Sequence, residues 1–279
     1  MHGPVRKVVD SNALQSPSLR AYLSESVNNF AVLTDYASME AHKGDTLASI
    51  FESMALLAEF PKQVIVLKTT DVVCGLSGRR ARLQCRLIDE DQTLGFPQYC
   101  RRLYAIKLDD VSARRQLLEL GRMADEQMAR VLAGAASMPD AVQKTAARFT
   151  ETELKILRNR APFTAPLIRK VLENVLALTH VLYSRHPRRT VVPDVDELPN
   201  TFLFRSALCM LVWTLDRIAM GGLPKATKAE NIRNDLVDMN FATYATYFDG
   251  LLSNDQRLLR NYETAAFALD AITNDSAND

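Results

Sequence analysis

The spacing of apolar and polar positions changes several times along the chain. VRKVV, running up to Asp10, is a short β-branched run that stops at the polar residues Ser11 and Asn12, and it predicts a buried parallel strand. NNFAVLTD, from Asn28 to Asp35, predicts a second strand, and QVIVLK, from Gln63 to Lys68 behind Pro61, a third. Between them, YASMEAHKGDTLASIFESMALLAEF carries apolar residues at helical spacing. Strands alternating with helices predict an α/β unit with a parallel sheet and right-handed crossovers.

From Cys74 to Leu223 the strand signal is absent, and Ala, Leu, Arg and Glu recur with helical periodicity. VSARRQLLELGRMADEQMARVLAGAA, FTETELKILRNR, APLIRKVLENVLALTHVLYSR and TFLFRSALCMLVWTLDRIAM each predict a helix, and the Pro-rich HPRRTVVPDVDELPN a connection. Beyond it, KAENIRNDLVDMNFATYATYF predicts a helix, DGLLSND a short strand and QRLLRNYETAAFALDAI a closing helix. The expected organisation is a sheet core in residues 1–73, an all-helical insertion in 74–224, and a return to the sheet in 225–279.

Composition narrows the class. Of 279 residues, 47% are hydrophobic and 24% charged, which is an ordinary globular balance and excludes a disordered or fibrous chain. The formal charge is +1, so a nucleic-acid signal has to be local. Cys74, Cys85, Cys100 and Cys209 form no CxxC pair and the four histidines are scattered, which argues against zinc and for reduced thiols. SALCMLVWTL, from Ser206 to Leu215, falls short of the roughly 20 residues that span a bilayer, so it reads as a buried helix and no membrane partner is expected. MHGPVRKVVD has no apolar run behind a basic start, so no secretory signal is expected and cytoplasm is the expected setting.

Four acids stand where such a sheet would gather them: Asp10 after the first strand, Glu40 after the second, Asp238 on the penultimate helix and Asp255 after the last strand. In open parallel sheets, sites form in the crevice beyond the carboxyl ends of the strands. Crowded carboxylates raise one another's pKa unless a cation lies between them, and an all-oxygen set favours Mg²⁺ or Mn²⁺. Such an ion can generate a hydroxide nucleophile and stabilise the charge developing on a phosphodiester.

The order VVDSNAL, LTDYASMEAHK, NDLVDMNFATYATYFDGLLSND resembles the acidic signature of PIN-domain nucleases, over roughly residues 1–70 and 225–279. Asp10, Ser11 and Asn12 match the first motif and Glu40 the second. Asp238, seven residues before Ala245, matches the third, and Ser253, Asn254 and Asp255 the fourth. The resemblance implies a PIN-like α/β fold and a metal-dependent endonuclease, with Asp10, Glu40, Asp238 and Asp255 as catalytic metal ligands. Asp235, one turn before Asp238, would hold a second metal or a water, and Asn12 and Ser253 would orient carboxylates or substrate. It also implies RNA over DNA, in a toxin or defence setting with a neutralising protein partner. The insertion of about 150 residues departs from compact members of the family.

Plainer readings stand beside these. Asp10, Asn12 and Asp255 are good helix caps, and Glu40, Asp235 and Asp238 suit a solvated helix face. Arg79, Arg80 and Arg82 begin a basic stretch that suits phosphates, continued by Arg86, Arg101, Arg102, Arg114 and Arg115 and later by Arg185, Arg188 and Arg189. Asp89, Glu90 and Asp91 interrupt it and suit paired surface helices instead. The rival functions are a structure-specific or single-strand DNA nuclease on the same fold, and a non-catalytic protein that binds a partner or a second copy through the helical insertion.

Overall fold

The structure is a computed structural model that describes residues 3–42, 46–107, 110–186, 191–224 and 227–275. The elements begin with β1 (Val5–Val9), α1 (Pro17–Glu25), β2 (Asn29–Leu33), α2 (Asp35–Ala41), α3 (Thr46–Ala55) and β3 (Val64–Val66). They continue with α4 (Thr70–Val73), α5 (Leu83–Leu87), α6 (Glu90–Lys107), α7 (Val111–Ala135), α8 (Met138–Ala146), α9 (Glu151–Arg158) and α10 (Ala165–Arg185). The chain closes with α11 (Phe202–Ala219), α12 (Ala229–Ala245), β4 (Leu251–Leu252) and α13 (Gln256–Asp275).

The strands form one all-parallel sheet in the order β3-β2-β1-β4, flanked by helices. Val8, Val9, Ala31, Val32 and Leu33 are all buried, as strands covered on both faces require, and this is why β-branched and small apolar residues fill them. The expected second strand stops short: β2 ends at Leu33, and Asp35 opens α2 behind the Thr34 N-cap, whose hydroxyl accepts from the Ala37 N–H at 3.1 Å. The last strand is the pair Leu251–Leu252 inside the expected DGLLSND, entered through Gly250 at φ +143°, a backbone region that favours glycine.

Two compact units divide the chain. One holds Met1–Val73, Ala81–Arg130 and Tyr244–Leu259, the other Cys74–Arg80, Val131–Thr243 and Arg260–Asp279. Residues 74–224, expected as one insertion, are therefore shared between the two. The reason is visible at β3, where Ile88 makes a single antiparallel bridge with Leu67 and α6 packs against the strand, tying the start of the helical region to the sheet. In the second unit α11 is the central helix, packed by α8, α9 and α10, and Trp213, Leu208 and Cys209 on it are buried. Gly78 lies so close to the backbone of Glu197 that a Cβ would sit 1.9 Å from the carbonyl oxygen. Among the described residues no helix is long and apolar enough to cross a membrane.

Candidate active site

Parallel strands place all their carboxyl ends along one edge, and here that edge carries Asp10 after β1, Thr34 and Asp35 after β2, Thr70 after β3, and Ser253 to Asp255 after β4. The strand order reverses at β1. The chain goes from β1 outward to β2 and β3 on one side and returns with β4 on the other, so the β1/β4 boundary is the topological switch point, where open α/β sheets form their crevice.

Asp10 stands at that boundary with no exposed surface. Its backbone N–H donates to the Leu252 carbonyl at 3.0 Å, which fixes it against β4. The Ser253 hydroxyl donates to Asp10 Oδ2 at 2.7 Å and the Ser11 hydroxyl to Oδ1 at 3.3 Å. Burial nonetheless holds the carboxyl above its ordinary pKa of 3.8, against the lowering effect of Ser253, the Asn12 and Ser11 backbone N–H groups and the Ser11 hydroxyl. Ser253 Oγ also accepts from the Asp255 N–H at 3.0 Å, so one hydroxyl ties the Asp10 carboxylate to the Asp255 backbone. Asp255 caps α13, its Oδ1 accepting from the N–H groups of Arg257 at 2.7 Å and Leu258 at 3.1 Å. Asn254 Nδ2 donates to the Asn12 carbonyl at 3.1 Å, while the Asn12 residue itself is exposed.

No family model, curated protein or solved structure matches this chain. The site is therefore read from its own chemistry.

The acids that follow β1 and β4 at the switch point, Asp10 and Asp255, offer oxygen donors, which suit hard divalent ions. Mg²⁺ is commonly held by one or two carboxylates together with waters and substrate phosphate, so two suffice. Among the described residues, no three His, Cys, Asp or Glu stand together as a ready coordination group. Glu40 lies on α2, half-buried, and its carboxylate makes no hydrogen bond or ion pair with any described residue.

Asp235 and Asp238 belong to the stretch of α12 in the second unit. Asp235 is buried and ion-paired with Arg217 of α11, so its carboxylate already has a cation; Asp238 is half-buried. Arg79 and Arg80 are exposed in the second unit, and Arg82 is exposed in the first, at φ +53° ahead of α5. Arg188 and Arg189 lie outside the described residues. All four cysteines are free thiols, and burial pushes that of Cys209 up to about 11, which makes it a poor nucleophile.

Asp35 escaped the sequence reading. Its Oδ2 accepts from the Thr70 N–H at 2.6 Å, and its Oδ1 from the Thr70 hydroxyl at 2.8 Å and the Tyr36 N–H at 3.0 Å. Burial raises its pKa, and the Thr70 and Tyr36 donors oppose the rise. The available signal was the recurrence of Thr-Asp after the strand at 34–35 and of Thr-Thr-Asp at 69–71, two short polar stops at neighbouring strand ends.

Proposed function

We propose that this chain is a metal-dependent phosphodiesterase of PIN-like type, an endonuclease whose first substrate class is RNA. The observation that carries the reading is the position of Asp10: a fully buried acid at the switch point of a parallel sheet, tied through Ser253 to the backbone of Asp255 after β4. Burying a carboxylate is unfavourable unless a partner offsets it, and hydroxyl and amide donors leave Asp10 with its pKa still raised. A divalent cation would offset it further. Asp10 and Asp255 would hold Mg²⁺ or Mn²⁺ there, with Glu40 and Asp238 as the further ligands that the PIN resemblance assigns. The ion would supply an activated water and stabilise negative charge on the phosphoryl oxygens. Ser253 keeps the Asp10 carboxylate in one orientation. RNA in place of DNA, a neutralising protein partner and a cytoplasmic setting come from the resemblance.

The test is Mn²⁺ titration calorimetry on the purified chain beside cleavage of end-labelled single-stranded RNA and DNA, with and without chelator. Chelator-sensitive cleavage of RNA that Asp10→Asn removes is the expected result. Cleavage of DNA alone would select the DNA nuclease, and Mn²⁺-independent binding with no cleavage would select the interaction protein.

A further inference from the structure

Asp35 is an acid at the same sheet edge that the metal reading does not use. β2 lies beside β1 in the register Val8 to Val32, and continuing that register brings the end of β1 at Asp10 beside Thr34. The turn that follows β2 is therefore a wall of the crevice next to Asp10. Its neighbour on the other side is the turn after β3, where the chain leaves Leu67 and enters α4 at Thr70.

A single carboxylate ties these turns together. Both oxygens of Asp35 are engaged, and two of the three donors come from one residue, Thr70, which binds in a two-point grip through its N–H and its hydroxyl. A carboxylate is the one side chain that accepts at both points and takes the Tyr36 N–H as well, since Asn offers a single acceptor oxygen. The grip also has a direction. An ionised Asp35 can only accept, so the Thr70 hydroxyl gives its proton to Asp35, and the Tyr244 hydroxyl, 3.0 Å away, is left to donate to Thr70 Oγ1. Tyr244 is fully buried and forms the C-terminal turn of α12, just before the chain enters β4.

We propose that Asp35 is the positioning residue of this crevice: it fastens the turn after β3 to the turn after β2 through Thr70, seats the Tyr244 hydroxyl, and does not itself hold metal. The assignment rests on the nuclease reading for what the crevice does, but the fastening is a property of the chain alone. Asp10 also has both oxygens engaged, by two hydroxyls and local backbone; what separates Asp35 is that two of its three donors come from Thr70 on the turn after β3, so its carboxylate is committed to holding that turn. With the clamp gone, the wall beside Asp10 would sample several positions and fewer molecules would hold the reacting geometry at any moment, which lowers turnover more than binding.

The experiment compares the full chain with Asp35→Asn, Thr70→Val, Thr70→Ser and Tyr244→Phe. Amide exchange of Thr70 is expected to be about tenfold faster or more in Asp35→Asn. Mn²⁺ affinity in that variant should stay within about twofold of wild type, while Asp10→Asn weakens it. In RNA cleavage, kcat should fall about tenfold in Asp35→Asn and Thr70→Val with KM held, and Thr70→Ser, which keeps the hydroxyl, should restore it. A structural role alone would lower the folded fraction and leave kcat per folded molecule unchanged. Unchanged Thr70 exchange in Asp35→Asn, or wild-type kcat in Thr70→Val, overturns the proposal, as does a loss of Mn²⁺ affinity in Asp35→Asn equal to that in Asp10→Asn, which would make Asp35 a ligand. If the wild-type chain binds no Mn²⁺ and cleaves nothing, the nuclease reading falls, and the exchange rates still decide whether Asp35 fastens the turn; Thr70→Val and Tyr244→Phe keep that decision open should Asp35→Asn fail to fold.

Discussion

The Ser253 hydroxyl donates to Asp10 Oδ2 at 2.7 Å across 243 positions of sequence, closing the sheet at the point where its strand order reverses. The same oxygen accepts from the Asp255 N–H, so Ser253 has a proton to give Asp10 and a lone pair for the helix start. Ser253→Ala removes both. Loss of a hydrogen bond to a buried acceptor is expected to lower stability by about 1 to 2 kcal/mol, read as a shift of the urea midpoint at constant m-value. Ser253 is also the chief donor holding the Asp10 pKa down, so the variant should raise that pKa further. Protons would then compete with Mn²⁺ up to a higher pH, and the acid limb of Mn²⁺ binding should move upward. An unmoved limb would separate Asp10 from the metal.

Asp10→Asn tests the burial argument without any substrate. Because the folded-state pKa of Asp10 lies above 3.8, the folded chain prefers the protonated acid, and ionisation penalises the fold at every pH above that folded pKa. Asn carries no such penalty. Its expected effect is a Tm higher by a few degrees at pH 7, with the gain shrinking as the pH falls through the folded pKa and gone below 3.8, where wild-type Asp10 is protonated in both states. A variant less stable at pH 7 would mean that the Asp10 charge is already well compensated inside the protein. Added Mn²⁺ should reverse the order, since it would stabilise only the chain that binds it.

How much of this was legible in the sequence depended on whether the signal was local. The β-branched runs gave β1, β2 and β3 away, because a strand covered on both faces has to be apolar along its length, and the Leu pair after Gly250 marked β4. Asp10, Ser253 and Asp255 were legible as strand-end polar residues. Asp35 was not: read as the last residue of a strand it has no role, and its partner Thr70 is 35 residues away, a pairing that no periodicity encodes. The division of the helical region was hidden for the same reason, since the bridge from Ile88 to Leu67 depends on two backbone hydrogen bonds, Lys68 N–H to the Leu87 carbonyl and Asp89 N–H to the Val66 carbonyl, within a stretch whose composition is helical throughout.

Gly78→Ala is expected to be disruptive although Gly78 has no part in the crevice. A methyl group there would meet backbone atoms of Glu197, with the carbonyl oxygen 1.9 Å away, and backbone cannot yield as the end of a side chain can. Forced repacking of this kind costs about 2 kcal/mol or more. Thermal melting checks it, with Gly95→Ala as the control, since a Cβ on Gly95 meets no atom within 4 Å.

The remaining prediction concerns which acid of NDLVD serves the site. Asp235 is buried against Arg217, whose guanidinium also lies over the Trp213 ring at 5.5 Å from its centroid. Removing one member of a buried ion pair leaves the other uncompensated and typically costs about 3 to 5 kcal/mol. Asp235→Asn should therefore unfold at lower denaturant, and any loss of cleavage should follow the loss of folded protein. Changing both partners, as in Asp235→Asn with Arg217→Met, should recover much of that stability, because no buried charge is then left alone. Asp238 is half-buried, and Asn keeps its size and one acceptor oxygen, so Asp238→Asn should cost less stability than Asp235→Asn and still abolish metal-dependent cleavage. The two acids then separate cleanly, one as a stability defect that a second substitution repairs and the other as a catalytic defect in a folded chain. If Asp235→Asn is instead fully folded and inactive while Asp238→Asn retains cleavage, Asp235 is the functional acid, the third motif is displaced by one helical turn, and the pair with Arg217 marks a resting state that metal would have to break.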